Sequence, residues 1–285
     1  MAEIIQRDGT WAFDGGTVRI TPGLHRSVSP FRQAYGEVSV PLEAVAGIAL
    51  APDRRRGCLR LRLREGADPL LRATGGRLPD AANPYRLWVE ADRGSVAEYV
   101  AEEVRRALLL DRVPKGPTEA YLLPGPPVPV SVRSSDGTVS FDGARVRIDW
   151  ADTSERVKRA AGPRTVGLGD LARVEWLPNS GSESGLLRFV TRGAPSPGLP
   201  PRKDPYALDL WGSARRDLLT ALIATAVTAR LPHPSARPPR AAVPRPAGPH
   251  DVLLRRLREL GELHRGGVLT DEEFARTKAA VLRCF

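Results

Sequence analysis

Arginine supplies the densest chemistry in this sequence. Arg54, Arg55 and Arg56 run directly into residues 57–64, where Arg60, Arg62 and Arg64 alternate with Leu59, Leu61 and Leu63. Alternation with period two is that of a half-buried strand, so the last three arginines share one face at intervals of about 6.6 Å. Six guanidinium groups so placed suit an acidic peptide or the phosphates of an anionic membrane. The competing explanation is a solvated strand face in a chain of GC-rich coding. It is favoured, because the related stretch 185–192 keeps only Arg188 and Arg192.

Other reactive residue types do not assemble into a reaction centre. None of His25, His233, His250 and His264 has a second histidine four residues away, as a helical zinc site would require. Cys58 and Cys284 are too few and too isolated for a disulfide framework or a thiolate metal site. Gly181-Ser-Glu-Ser-Gly185 has Glu183 where a nucleophile elbow needs serine. No Gly-Lys-Ser/Thr phosphate loop occurs, and Asp14-Gly15-Gly16 lies between two strand patterns rather than before a helix. No catalytic residue, cofactor or metal is expected, and an enzyme is not the reading.

The formal charge of +10 and the isoelectric point near 10.4 raise the question of nucleic acid. The excess is spread along the chain, however, and only four of the 43 basic residues are lysine. No basic helix or aromatic-interleaved strand stands ready to read bases, so nucleic-acid binding is not expected. The apolar stretch 218–229 is too short to span a bilayer, and the first residues lack the apolar run of a signal peptide. A cytoplasmic location is expected.

The elements that position these residues come in two copies. Asp8-Gly-Thr-Trp-Ala-Phe-Asp-Gly-Gly-Thr-Val-Arg-Ile20 returns 128 residues later as Asp136-Gly-Thr-Val-Ser-Phe-Asp-Gly-Ala-Arg-Val-Arg-Ile148. In each, an Asp-Gly pair between apolar alternations reads as a β-hairpin. Turn chemistry accounts for Asp8, Asp14, Asp136 and Asp142 without an acid/base task. Asn83-Pro-Tyr85 and Asp204-Pro-Tyr206 each open a late strand. Each copy then closes with a helix. The first is read as capped by Ser95 with a stripe of Val96, Tyr99, Val100, Val104 and Leu108; the second is read as capped by Ser213 with Leu218, Leu222 and Ile223. Strands followed by one helix predict an α+β chain of two tandem pleckstrin-homology-like units, each a bent antiparallel sheet with a C-terminal helix, followed by a small α-helical hairpin. The outward positions of the late strands hold Trp88 and Trp211, for which packing is the commoner role.

The copies span residues 1–113 and 131–231. Between them 114–130 is Pro-rich and reads as an extended, stiff spacer, and 232–249 as a disordered Pro/Arg linker that does not pack. From 250 to 285 the pattern is helical. Leu253, Leu254, Leu257, Leu260 and Leu263 form one apolar face, Gly266-Gly267 stops it, and Thr270 with Glu273 forms a capping box before Phe274, Val281 and Leu282. So short a hairpin buries too little surface to stand alone, which makes Leu253, Leu257, Leu260 and Phe274 a candidate face for a partner helix.

The run Leu-Arg-x-Leu-x-Glu-Leu-x-x-x-Gly-x-Leu-Thr-x-Glu-Glu-Phe, beginning at Leu257, resembles the short C-terminal domain of bacterial proteins known as SHOCT. The tandem upstream, with its Asp-Gly-Thr, Phe-Asp-Gly and (Asn/Asp)-Pro-Tyr signatures, resembles domain of unknown function 4429, which occurs in actinobacterial proteins as paired copies ahead of such a tail. The resemblance implies an oligomerising or partner-binding tail and supplies no catalytic residue. The expectation is therefore a non-catalytic adaptor or scaffold with two binding units, whose residues 250–285 bind a protein partner or a second copy. Its alternative is peripheral attachment to an anionic membrane through the arginine face.

Overall fold

The computed structural model describes residues 1–51, 56–181, 183–193, 198–236, 257, 259–266 and 269–282. The chain is α+β, built of antiparallel sheets, a few helices and a helical C-terminal region. In the first copy β1 (Ala2–Gln6), β2 (Gly9–Phe13), β3 (Thr17–Pro22) and β4 (Val38–Pro41) form one sheet in that order, with α1 (Pro30–Tyr35) between β3 and β4. A second sheet joins β5 (Val45–Ala51), β6 (Arg56–Leu63) and β7 (Arg86–Glu90), α2 (Pro69–Thr74) sits between its last two strands, and α3 (Gly94–Leu110) follows. The second copy repeats the plan with β8 (Val130–Arg133), β9 (Gly137–Phe141), β10 (Arg145–Trp150), α4 (Arg156–Ala161) and β11 (Arg164–Gly167). Its second sheet is β12 (Leu171–Leu177), β13 (Gly185–Thr191) and β14 (Ala207–Leu210), followed by α5 (Ala214–Asp217) and α6 (Thr220–Thr228). Residues 1–236 form one compact unit; residues 237–285 form another, with α7 (259–265) and α8 (Asp271–Leu282).

The hairpins at Asp14 and Asp142 form for the reason their sequence gives. Asp14 Oδ1 accepts the N–H groups of Gly16 and Thr17 at 3.0 and 2.8 Å, and Asp142 Oδ1 those of Ala144 and Arg145 at 2.8 and 2.7 Å. These donors hold both carboxyl groups below the usual carboxylate range. The flanking apolar residues Trp11, Phe13, Val18 and Ile20, and Phe141, Val146 and Ile148 in the second copy, point into the core.

Asp8 and Asp136 do something the turn reading did not contain. Each sits at the β-turn opening its copy and receives a buried cation from the third residue of the helix after the third strand. Arg32 Nη1 lies 2.7 Å from Asp8 Oδ2, and Lys158 Nζ bonds Asp136 Oδ2. The same carboxylate oxygens accept a backbone N–H from the last strand of the second sheet, that of Trp88 at 3.4 Å and that of Asp209 at 2.9 Å. One carboxylate thus ties turn, helix and both sheets together in each copy. Lys158 is fully buried, donates also to Ala207 O at 2.8 Å, and lies 4.8 Å from the centre of the Trp150 ring.

The closing helices differ, and the difference explains how the copies are joined. Neither Ser95 nor Ser213 caps by its side chain: Ser95 lies inside α3 behind Arg93, and Ser213 stands at the cap position without a side-chain bond. Of the stripe read from α3, Val100 and Val104 are buried with Ala97 and Ala101, while Tyr99 is exposed. The outer face of α3 is charged, with Arg105 bonded to Glu98 and Glu102. By contrast, every residue of α6 from Thr220 to Thr228 is buried. A helix without a polar face needs cover on all sides, and α2 of the first copy supplies it by packing against α6. Buried hydroxyls at this joint are satisfied within their own helices, Thr74 on Leu70 O at 2.8 Å and Thr225 on Ala221 O at 2.7 Å.

The Pro-rich segment 114–130 is part of this joint rather than a free spacer. Leu122 and Leu123 donate backbone N–H groups to Ala67 O, and Leu123 is buried. Gly125, at φ 72°, passes so close to α6 that a Cβ there would lie 2.9 Å from that of Ala229. The start of the segment expected not to pack also docks: His233 bonds Gly66 O at 3.1 Å and meets the Tyr121 ring edge-on. The remainder of that linker, residues 237–249, lies outside the described residues.

Asp68 caps α2 from within this core, accepting from Leu70 N at 2.9 Å and Leu71 N at 3.2 Å, and from Tyr85 Oη at 2.8 Å. Burial outweighs these donors and raises its carboxyl to about 6. The same desolvation holds the Tyr35 and Tyr85 hydroxyls well above their usual range.

Two outcomes follow. Lys158→Met should destabilise the protein by about 3–5 kcal/mol because it strands a buried carboxylate, and Lys158→Met with Asp136→Asn should recover part of the loss, as read by urea unfolding. Because the folded protein holds the Asp68 proton up to about 6 and an unfolded chain releases it near 3.8, stability should fall as pH rises through that interval. Asp68→Asn keeps a capping oxygen and should flatten that slope in urea midpoints measured across the same pH range.

Candidate functional site

β6 carries the arginine face where the alternation places it. Leu59 and Leu61 are buried while Arg60 and Arg62 are exposed, and Arg56 is exposed at the head of the strand. Opposite them β5 presents small residues, with Gly47 in register with Arg62 and Ala49 with Arg60. On the other side Arg60 faces Arg86, which pairs with Asp80. The face is thus a shallow basic strip over a floor of Gly and Ala. Arg54 and Arg55 lie outside the described residues.

Arg64 leaves the strip. Its guanidinium donates to Glu43 O at 2.9 Å and Gly116 O at 2.8 Å, fastening the end of the first copy to the segment that follows. Arg192 repeats the contact on Leu171 O at 3.0 Å. These arginines are structural, and the register between copies is the signal in the sequence that marks them as a pair. Arg188, the second copy's counterpart on the strand face, is bonded to Asp204 at 2.8 Å and to Leu199 O at 2.7 Å. The outward strip belongs to the first copy.

Trp88 and Trp211 are exposed by 38% and 50%, so both keep part of an indole in solvent. Trp88 borders a cavity of about 300 Å³ between the Gln6–Asp8 turn, the head of β6 and β7, with Arg7, His25, Arg56 and Glu90 also on its wall. That cavity was not read from the sequence, because its walls come from five separate segments. Among the described residues no group of three His, Cys, Asp or Glu stands close enough to hold a metal. No helix among them is long and apolar enough to cross a membrane.

In the helical region, Thr270 and Glu273 make the capping box. Thr270 N and Oγ1 reach Glu273 Oε2 at 3.0 and 2.8 Å, and Glu273 N donates to Thr270 Oγ1 at 3.4 Å. The Thr270 donors hold the Glu273 carboxyl below its ordinary value. His264 on α7 stacks on Phe274 of α8 with centroids 4.4 Å apart and reaches Asp271 at 2.6 Å, which pins one helix to the other. Leu257, Leu260 and Phe274 are half-buried, and Leu263 is 45% exposed. Leu253 lies outside the described residues.

No curated protein matches the chain. The family described as Domain of unknown function (DUF4429) matches twice, over residues 11–105 and 139–228, one match in each copy of the fold. Two matches that together take in more than half of the sequence, and that coincide with the duplicated sheets, make this chain a tandem member of the DUF4429 family.

Proposed function

We propose that this protein is a non-catalytic adaptor of the cytoplasm: two pleckstrin-homology-like binding units fused into one body, followed by a SHOCT-like helical hairpin that recruits a protein partner or a second copy of the chain. A four-stranded and a three-stranded antiparallel sheet followed by a helix, in each copy, is the arrangement that supports the pleckstrin-homology-like reading. The observation that carries the functional reading is the apolar side of the hairpin, where Leu263 is 45% exposed and Leu257, Leu260 and Phe274 are only partly covered. Two short helices do not bury enough surface to be stable by themselves, so a partner contributes directly to their folding. Tethering such a contact to a folded body raises its effective concentration without new chemistry.

Light scattering coupled to size exclusion tests this on the full chain, on Leu257→Asp with Leu260→Asp, and on a chain ending at Ala236. The full chain should give a multimer mass, or carry a stoichiometric partner from the native cell, and both variants should be monomeric and alone. Identical monomer masses for all three, with nothing bound to the full chain, would reject the adaptor reading.

A second reading is favoured by one observation, the exposure of Arg56, Arg60 and Arg62 on the strip of β6. Such a strip suits the headgroups of an anionic membrane. Sedimentation with phosphatidylserine-containing vesicles should then be strong at low salt and weak at high salt. Changing Arg56, Arg60 and Arg62 together to Gln should abolish it, whereas undiminished sedimentation rules the strip out.

A further inference from the structure

The outer face of the second sheet differs between the two copies. Register fixes the correspondence: Arg60 stands between Ala49 and Arg86, and Arg188 between Glu175 and Ala207. Trp88 and Asp209 correspond as well, because each gives its backbone N–H to the carboxylate of its copy's opening turn. In the second copy this face is closed by its own charges. Glu175 meets Arg173 at 2.6 Å and Arg188 at 3.5 Å, and Arg188 also meets Asp204 at 2.8 Å.

In the first copy each of those acids is replaced. Ala49 stands for Glu175, Asn83 for Asp204 and Trp88 for Asp209. Arg60 and Arg62 are exposed and outside any ion pair among the described residues. A Cβ on Gly47 would lie 3.4 Å from Arg62 Nη2, so that guanidinium lies over bare backbone. Two carboxylates remain on or beside this face: Asp80, taken up by Arg86, and Glu90, in register with Arg56. Glu90 offsets part of the Arg56 charge, which leaves Arg60 and Arg62 as the centre of the strip. Trp88, 38% exposed, is in register with Cys58, two residues along β6 from Arg60. Indole and guanidinium therefore stand one step of about 6.6 Å apart on one face.

We propose that the outer face of β5, β6 and β7 lies against an anionic bilayer, with Trp88 as an apolar anchor at headgroup depth beside the charges of Arg60 and Arg62. The inference rests on the membrane reading of the β6 strip and adds to it the anchor and the face that meets the lipid. A basic residue near an anionic surface raises affinity only about fivefold. With Glu90 set against Arg56, the arginines alone hold weakly, and attachment at an interface gains from buried apolar surface as well as from charge. An indole, apolar in body with one N–H, suits the depth at which acyl chains give way to headgroups. The floor of Gly47 and Ala49 puts no long side chain between the arginines and a flat surface. The matching face of the second copy carries Asp209 in the place of Trp88 and has its arginines paired.

The experiment titrates the full chain with phosphatidylserine-containing vesicles across a salt series, and reads tryptophan quenching with the same vesicles carrying brominated acyl chains. Trp88→Ala should weaken binding about tenfold at every salt concentration with the salt slope unchanged, because an apolar contact is not screened. Trp211→Ala, which removes the more exposed indole of the second copy, should alter binding less than about twofold. Ala49→Glu gives Arg60 the partner that Glu175 gives Arg188, and should weaken binding about fivefold and flatten the salt slope. Brominated chains should quench the unsubstituted chain and leave the conservative variant Trp88→Phe unquenched, a readout that does not depend on how Trp88→Ala folds. The anchor is overturned, with the membrane reading intact, if Trp88→Ala binds like the unsubstituted chain or like Trp211→Ala, if Ala49→Glu has no effect, or if quenching persists in Trp88→Phe. Binding that survives the change of Arg56, Arg60 and Arg62 to Gln overturns the membrane reading itself. Absence of vesicle binding by the unsubstituted chain overturns both. So does its displacement from vesicles by a single-stranded oligonucleotide bound with the same sensitivity to these variants, which would assign the face to nucleic acid.

Discussion

The structure of residues 1–236 depends on one constraint: α6 has no polar face. A chain segment of Thr, Ala, Leu, Ile and Val, buried from Thr220 to Thr228, cannot end a domain at a solvent boundary. It packs on its own sheets from one side and is covered by α2 of the preceding copy on the other. The segment from Leu122 to Gly125 is drawn into the same joint, where a glycine admits the close approach to Ala229. Duplication has therefore yielded one folding unit with a shared core, and the second copy depends on the first for the cover of its closing helix.

Within that unit the same electrostatic device is used twice. A carboxylate at the opening turn, a cation from the following helix and a backbone N–H from the last strand meet at Asp8 and at Asp136. The cation is arginine in one copy and lysine in the other, and Lys158 makes more of its available bonds: Arg32 leaves Nε and Nη2 without partners, whereas Lys158 adds Ala207 O and the Trp150 ring. With the frame held by these ties, the surrounding loops are free to differ. In the second copy Asp217 is buried and accepts Gly212 N, and Arg188 is bonded to Asp204. The first has kept Arg7, Arg56, Arg60 and Arg62 exposed and outside any ion pair among the described residues.

The parts of this architecture that were legible in the sequence are those governed by neighbours along the chain. Asp14-Gly15 and Asp142-Gly143 turn because a carboxylate can reach the amides two and three residues on, Thr270 and Glu273 cap each other across one helical turn, and Leu59 to Arg62 alternates because a strand does. Where a distant group competed, local reading fell short. Ser95 lies inside α3 and Ser213 holds the cap position of α5 without a side-chain bond, Arg64 belongs to the outward face by parity yet turns back to the carbonyls of Glu43 and Gly116, and Tyr99 falls on the helical stripe but stays in solvent.

The sequence by itself determined the duplication, the family and the exposed arginines of β6, since these follow from repeated spacing and from the two-residue period of a strand, whereas the division of each copy into a four-stranded and a three-stranded sheet came from the structure. Tertiary structure alone decided that the copies share a core, that Asp8 and Asp136 hold buried cations, and that a cavity opens beside Trp88. Each of these brings together groups many residues apart, and the free energy of burying a charge or an apolar face depends on what covers it rather than on what precedes it in the chain.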